Sequence, residues 1–342
     1  MHRFRTLYAP GTALAIALLS LKAIKIFLPT RGAVMTGLRF GTTRWDIGEL
    51  TVIDLHTHTT VSDGGDSPTE LVEKAAAVGI TVLAVTDHDN DAGCAEAIAA
   101  GERLGVEVIA GVEISCDVED FEARGWVPSG RPTMHLLGYF IPQRENPLSS
   151  ALAELQFHRA NRNQLIVGKL NELGIAVTFE EVENEAGGPG SQIGRPHFAA
   201  VMVRHGVVPD YQTAFDEYLA KGAKAYLSRK LYKPSEAVEL MRSANVVPVL
   251  AHPFTLNLPF EDLEAFVDEL VEAGLAGIEG YHGDMPLDEQ EPYRALGRSK
   301  SLVVSGGSDY HGDMRPDRGL PGGRHGVTVP PEALEGLRAA CS

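Results

Sequence analysis

Thiol chemistry is nearly missing from these 342 residues. The three cysteines, Cys94, Cys116 and Cys341, form no C-x-x-C pair and no disulfide framework. That excludes a thiolate zinc site and a stapled secreted scaffold, and it leads us to expect a reducing, cytoplasmic location. Positive charge is short as well: 30 Lys and Arg stand against 46 Asp and Glu, a formal net charge of −16. A basic coat for nucleic acid is excluded, and stable DNA binding is not expected. A small anionic substrate is compatible with this balance only where positive charge or metal is concentrated locally. Side-chain nucleophile and nucleotide-loop motifs are missing too. There is no G-x-S-x-G elbow, because "GSQIG" carries its serine in the wrong place. Nor is there a G-x-x-x-x-G-K-[ST] loop, an H-E-x-x-H helix or a clean G-x-G-x-x-G turn.

Long apolar runs are confined to the first fifty residues. "ALAIALLSLKAIKIFLP" (13–29) follows Arg3 and Arg5, as a signal peptide or membrane anchor would. Its longest uncharged part, Thr6 to Leu21, is about 16 residues, short of the roughly 20 that span a bilayer. Lys22 and Lys25 interrupt the continuation, and no A-x-A cleavage site follows. The segment 1–50 therefore reads as an anchor through residues 6–29, a surface helix, or an extension ahead of a start at Met35. A membrane role is not the expectation.

What the chain does have is alternation. Strand-like runs fall at 51–55, 81–85, 106–112, 135–140, 247–251, 276–281 and 302–305. Helix-like stretches at 68–79, 92–104, 233–245, 260–274, 287–298 and 331–340 follow several of them. That rhythm predicts parallel βα units over 51–342, as a barrel or a doubly wound sheet. Between about 145 and 232 it breaks. A long helical stretch carries Leu152, Leu155, Leu165, Ile166, Leu170 and Leu173 on one stripe, and shorter helices around 179–185, 196–205 and 210–220 follow. This reads as a helical insertion between two strands.

The strand ends carry the chemistry. "IDLHTHTTVSDGG" ends the first strand with His56 and His58, which project on one face, and Asp63 follows in the loop. His88 ("TDHD"), Glu113 ("GVEIS"), His135 ("HLLGY"), His252 ("AHP"), Asp309 and His311 ("SGGSDYHG") lie at or beside later strand ends. In α/β barrels and sheets the C-terminal strand ends converge on one face. Each residue alone could be a capped or satisfied polar group. Imidazole and carboxylate recurring at equivalent points of successive units instead form a ligand set for Zn²⁺, Mn²⁺ or Fe²⁺. Nine such ligands suit three ions.

These motifs, in this order across residues 54–312, resemble the PHP (polymerase and histidinol phosphatase) family of metal-dependent phosphoesterases. The resemblance implies an α/β fold, a distorted (β/α)₇ TIM-like barrel, with three divalent metal ions. It implies that His56, His58, Glu113 and Asp309 surround one ion. Glu113 would bridge to a second held with His135 and His252, and Asp63, His88 and His311 would hold the third. It also implies that the attacking group is a metal-bound bridging water, with no side-chain nucleophile.

The insertion points to the substrate. From Arg195 to Lys233 seven Lys and Arg face three Asp and Glu. Arg195 and His197 in "GRPH" follow a glycine-rich loop at a predicted helix start, which suits anion capture, with Lys233 as an assisting cation. "GRPHFA" resembles the family branch that removes the 3′-phosphate of nucleoside 3′,5′-bisphosphates and trims short RNA from its 5′ end. The expected partner is a small phosphorylated nucleotide or a short RNA, and the oligomeric state is open. Two alternatives remain: a histidinol-phosphatase-type enzyme, whose ammonium substrate would call for carboxylates, and a non-catalytic metal-binding or scaffold protein.

Overall fold

Seven strands in the order β1 to β7 build the molecule, each hydrogen-bonded to the next. The computed structural model describes residues 51–342 except positions 119, 131, 189–191 and 342. The anchor, surface-helix and Met35-start readings of the first fifty residues lie outside that range. Among the described residues no helix is long and apolar enough to cross a membrane.

The first half runs β1 (Ile53–Asp54), α1 (Pro68–Ala77), β2 (Val82–Val85), α2 (Cys94–Leu104), β3 (Glu107–Ser115) and β4 (His135–Tyr139). Local chemistry sets these limits. Ser67 and Glu70 cap the start of α1 reciprocally, with Pro68 at its first position, and α2 ends at Gly105 in the left-handed region. The second half runs α7 (Pro234–Ser243), β5 (Val247–Leu250), α8 (Phe260–Ala273), β6 (Gly277–His282), α9 (Glu291–Ser299), β7 (Val303–Gly307) and α10 (Pro331–Ala340). Between the halves lie α3 (Pro147–Glu172), α4 (Phe179–Glu185), α5 (Arg195–Arg204) and α6 (Tyr211–Ala214), which continues as a π-turn over Phe215–Leu219. The insertion has its own apolar cluster, built from Ile166, Leu170, Val182, Phe198 and Met202 among others.

β1 meets β7 again, through the Leu55 amide on the Gly306 carbonyl (3.3 Å) and a parallel bridge from Thr57 to Tyr310. The sheet is thus nearly closed into a barrel, with its helices outside. Gly307 allows this closure, since a Cβ there would lie 2.5 Å from His56, and Gly306 lets β7 approach β6, where a Cβ would lie 2.2 Å from the Tyr281 carbonyl. Ile53, Leu55, Ala84, Leu137, Tyr139 and Val249 fill the interior, together with Leu334 and Leu337 of α10.

Two expectations need correcting. The strands are not all parallel: β4 runs antiparallel to both β3 and β5. The connection from β3 to β4 is a loop with one short turn of 3₁₀ helix instead of a crossover helix, so the chain returns in the opposite direction. The stripe of α3 is also not purely leucine. Leu165 and Leu173 are exposed, whereas Arg162 and Asn163 are buried in line with Leu152, Leu155, Ile166 and Leu170.

Candidate metal centre

Each residue singled out at a strand end reaches the same face of the barrel. His56 and His58 leave β1 fully buried on either side of Thr57, whose hydroxyl anchors to the Ala84 carbonyl of β2 (2.6 Å). His88 follows β2, and a parallel bridge ties it to Glu113 in β3. The reversed direction of β4 pairs its first residue, His135, with Ser115 at the end of β3. A histidine at a strand start is thereby carried to the face formed by the other strands' ends. His252 follows β5, and Asp309 and His311 follow β7. His252 and Asp309 hold positive φ values, 23° and 54°, strained for residues with a side chain and consistent with a site that the surrounding fold holds in place.

Glu113 is the hub. Its Oε1 lies 2.8 Å from His135 Nδ1 and 2.7 Å from His252 Nε2. Its Oε2 lies 3.0 Å from His88 Nδ1, 3.3 Å from His58 Nε2 and 3.4 Å from His56 Nε2. Asp309 Oδ1 stands 3.1 Å from His58 Nε2 and 3.5 Å from His56 Nε2. Asp63 closes the outer side, with Oδ1 3.4 Å from His311 Nε2 and Oδ2 3.8 Å from His88 Nε2. All nine residues fall into groups whose donor atoms come within 4.8 Å of one another: His58, Asp63, His88 and His311; His56, His58 and Asp309; His56, Glu113 and His252; His88, Glu113 and His135.

The electrostatics suit cations. Burial alone would raise the pKa of Glu113, but the His88, His135 and His56 rings outweigh it and hold the carboxyl well below the usual glutamate range. Burial would likewise lower His58, yet Asp309 and Glu113 push it up to about 10. Several buried atoms have no hydrogen-bond partner among the described residues: His56 Nε2, His58 Nε2, His88 Nδ1, Asp63 Oδ1 and Glu113 Oε2. Buried lone pairs converging without donors are what divalent ions satisfy, so the residues fit a metal cluster. An outer layer aims them. Glu279 Oε1 takes His56 Nδ1 (3.0 Å), the Asp309 carbonyl takes His311 Nδ1 (2.8 Å), and Arg318 Nη1 binds Asp309 Oδ2 (2.6 Å).

A cavity of about 310 Å³ opens beside this cluster. Asp63, His88, His135 and His311 line it at the cluster, and Arg159, Arg162, Arg195, His197, Arg229 and Arg315 line it elsewhere. Arg195 and His197 are where the sequence placed them, at the start of α5. Lys233 is not among the lining residues. It is exposed at the N-cap of α7, where its amide donates to Glu236 (3.1 Å). Arg204, Lys224 and Lys230 pair with Glu185, Glu217 and Glu154, so much of the basic count in the insertion is ordinary surface. Arg159 and Arg229 share one buried carboxylate, Asp89. Arg162 is only 7% exposed and, among the described residues, donates to the side-chain amide oxygen of Asn163 alone. Burial and repulsion from Arg159, Arg229 and Arg195 lower its pKa to about 9.

Glu279, Arg318, Arg159 and Arg162 were not singled out from sequence. Glu279 had a signal, a carboxylate within the apolar run "GIEGYH", and so did the arginines, which interrupt the buried stripe of α3 at helical spacing. Arg318 comes from an irregular loop and had none.

The PHP domain family model matches residues 54–218. The chain is 34% identical over 259 residues, 76% of its own length and 87% of the relative's, to a 3′,5′-nucleoside bisphosphate phosphatase of Chromobacterium violaceum. It is 31% identical over 258 residues to a 5′-3′ exoribonuclease of Haemophilus influenzae, 75% of this chain and 89% of that one. Among solved structures, an amidohydrolase from Chromobacterium violaceum superposes with a TM-score of 0.68 at 32% identity, covering 85% of this chain and 97% of the other.

Proposed function

Because the chain belongs to the PHP-domain family of metal-dependent phosphoesterases, we propose that it removes the 3′-phosphate of nucleoside 3′,5′-bisphosphates. His56, His58, Glu113 and Asp309 would hold one ion, Glu113 with His135 and His252 a second, and Asp63 with His88 and His311 a third. Bound divalent ions supply an acidified water and neutralise phosphoryl oxygens. The protein's part is to fix the ligands, through Glu279, Arg318 and the carbonyl of Asp309, and to position the substrate.

The observation that carries the substrate reading is the pairing, within one cavity, of this cluster with a group of arginines that one carboxylate cannot neutralise. Arg159 and Arg229 divide Asp89 between them, and Arg162 has no carboxylate partner among the described residues. Arg159, Arg162 and Arg229 together carry more positive charge than Asp89 balances, and a second phosphate on the substrate meets that excess. Histidinol phosphate offers an ammonium group there, which these arginines repel. The first nucleotide of a 5′-phosphorylated RNA presents the same two groups, a 5′-phosphate and a 3′-phosphoester. Trimming of short RNA is therefore the second reading, in keeping with the exoribonuclease relative.

The test compares kcat/KM for adenosine 3′,5′-bisphosphate, AMP, histidinol phosphate and a short 5′-phosphorylated RNA with Mn²⁺ present. The bisphosphate should lead and histidinol phosphate should trail. The reverse order would refute the assignment.

A further inference from the structure

His282 closes β6 and lies outside the nine residues of the proposed cluster. Its ring is buried, and it lines a second cavity of about 200 Å³ with Glu113, His252, Asp309 and Arg318. The backbone N–H of Asp284 donates to its Nδ1 at 3.0 Å, so Nδ1 is an acceptor and the ring proton sits on Nε2. Among the described residues that Nε2–H has no hydrogen-bond partner. Asp309 Oδ2 is 3.7 Å away and Glu279 Oε2 is 3.8 Å away, both beyond reach. Each of those oxygens already accepts a donor, from Arg318 Nη1 (2.6 Å) and from the backbone N–H of His252 (2.7 Å).

The same geometry argues against a fourth metal site at His56, Glu279 and His282, whose donor atoms also cluster. A ligating imidazole nitrogen must be bare, and the bare nitrogen of His282 is occupied by a backbone amide. His56 Nδ1 and Glu279 Oε1 are likewise satisfied by each other at 3.0 Å. A buried donor without an acceptor, facing a cavity beside the cluster, is placed to meet something that arrives.

We propose that His282 Nε2–H donates a hydrogen bond to the phosphoryl group under cleavage, a catalytic contact made by a neutral ring and not by a metal ligand. This rests on the reading of Glu113 and Asp309 as ion ligands. Two substitutions separate the roles of the ring nitrogens. His282→Gln places an amide donor near the position of Nε2. His282→Asn keeps an acceptor near Nδ1 and removes the Nε2 donor.

The experiment measures, for wild type and both variants purified without chelator, metal content by elemental analysis and affinity for inorganic phosphate by calorimetry. Metal content should be the same in all three. Phosphate affinity should fall about tenfold in His282→Asn and stay within about threefold of wild type in His282→Gln. Metal content falling in both variants would make His282 a ligand and overturn the proposal. Unchanged phosphate affinity in His282→Asn would make it a structural histidine and also overturn it. If His282→Asn does not fold, His282→Gln decides: retained affinity supports the contact, and a tenfold loss refutes it. A wild-type protein without metal would instead refute the ion-ligand reading beneath it, before any variant is compared.

Discussion

Glu113 touches five imidazoles with two oxygens, which makes it the residue whose loss should propagate furthest. Glu113→Gln keeps the shape and removes the charge that draws cations to the cluster. It should lower metal content more than His252→Ala does, as read by elemental analysis of protein purified without chelator. An unchanged metal content would show that the carboxylate is a hydrogen-bond hub only. Glu279 acts one layer out, through His56 Nδ1. Glu279→Gln should weaken metal binding about ten- to hundredfold, the usual cost of losing an orienting carboxylate, and a metal titration checks it. Lys233 supplies the contrast. It stands exposed outside the cavity, so Lys233→Ala should leave kcat/KM for a bisphosphate unchanged, whereas Arg229→Ala should reduce it. Equal losses in the two variants would put Lys233 back at the site.

At the scale of elements, the close approach of β7 to β1 is the joint on which the site depends. Gly307→Ala would drive a Cβ to within 2.5 Å of His56, against backbone as well as side chain. The expected cost is about 1–3 kcal/mol, seen as a lowered Tm, and an unchanged Tm would show that the strands can part without penalty. Much of this layer was readable. The predicted stretches 179–185 and 331–340 match α4 and α10 residue for residue, and the caps at Ser67 with Glu70 and Thr178 with Glu181 show the local chemistry that sets such starts. The reversal of β4 was not readable, because strand direction is set by how the chain connects and not by the strand's own residues. His135 gave one hint, since it sits at the beginning of its strand while its neighbours' site residues sit at or after the end. The arginines of α3 were missed for another physical reason. Charged residues are counted as solvent-facing by default, and only the helical spacing of Arg159 and Arg162 with Leu155 and Ile166 marks them as inward.

For the molecule as a whole, the telling contrast is between a chain of net charge −16 and a cavity lined by five arginines. The net charge disfavours a general attraction for polyanions, whereas the arginines concentrate positive charge locally in the cavity. On the proposed reading the cavity has two distinct ends, the His and carboxylate cluster for the phosphoryl group under cleavage and the arginines for a second phosphate. The measurement that tests this most directly is the ratio of kcat/KM for adenosine 3′,5′-bisphosphate to that for p-nitrophenyl phosphate, in wild type and in Arg162→Gln. Loss of one charge-assisted contact costs about 1.5–3 kcal/mol, so the ratio should fall roughly ten- to hundredfold while the simple monoester is nearly unaffected. An equal loss on both substrates would contradict the account, because Arg162 would then serve the cleaved phosphate or the fold and not a second phosphate.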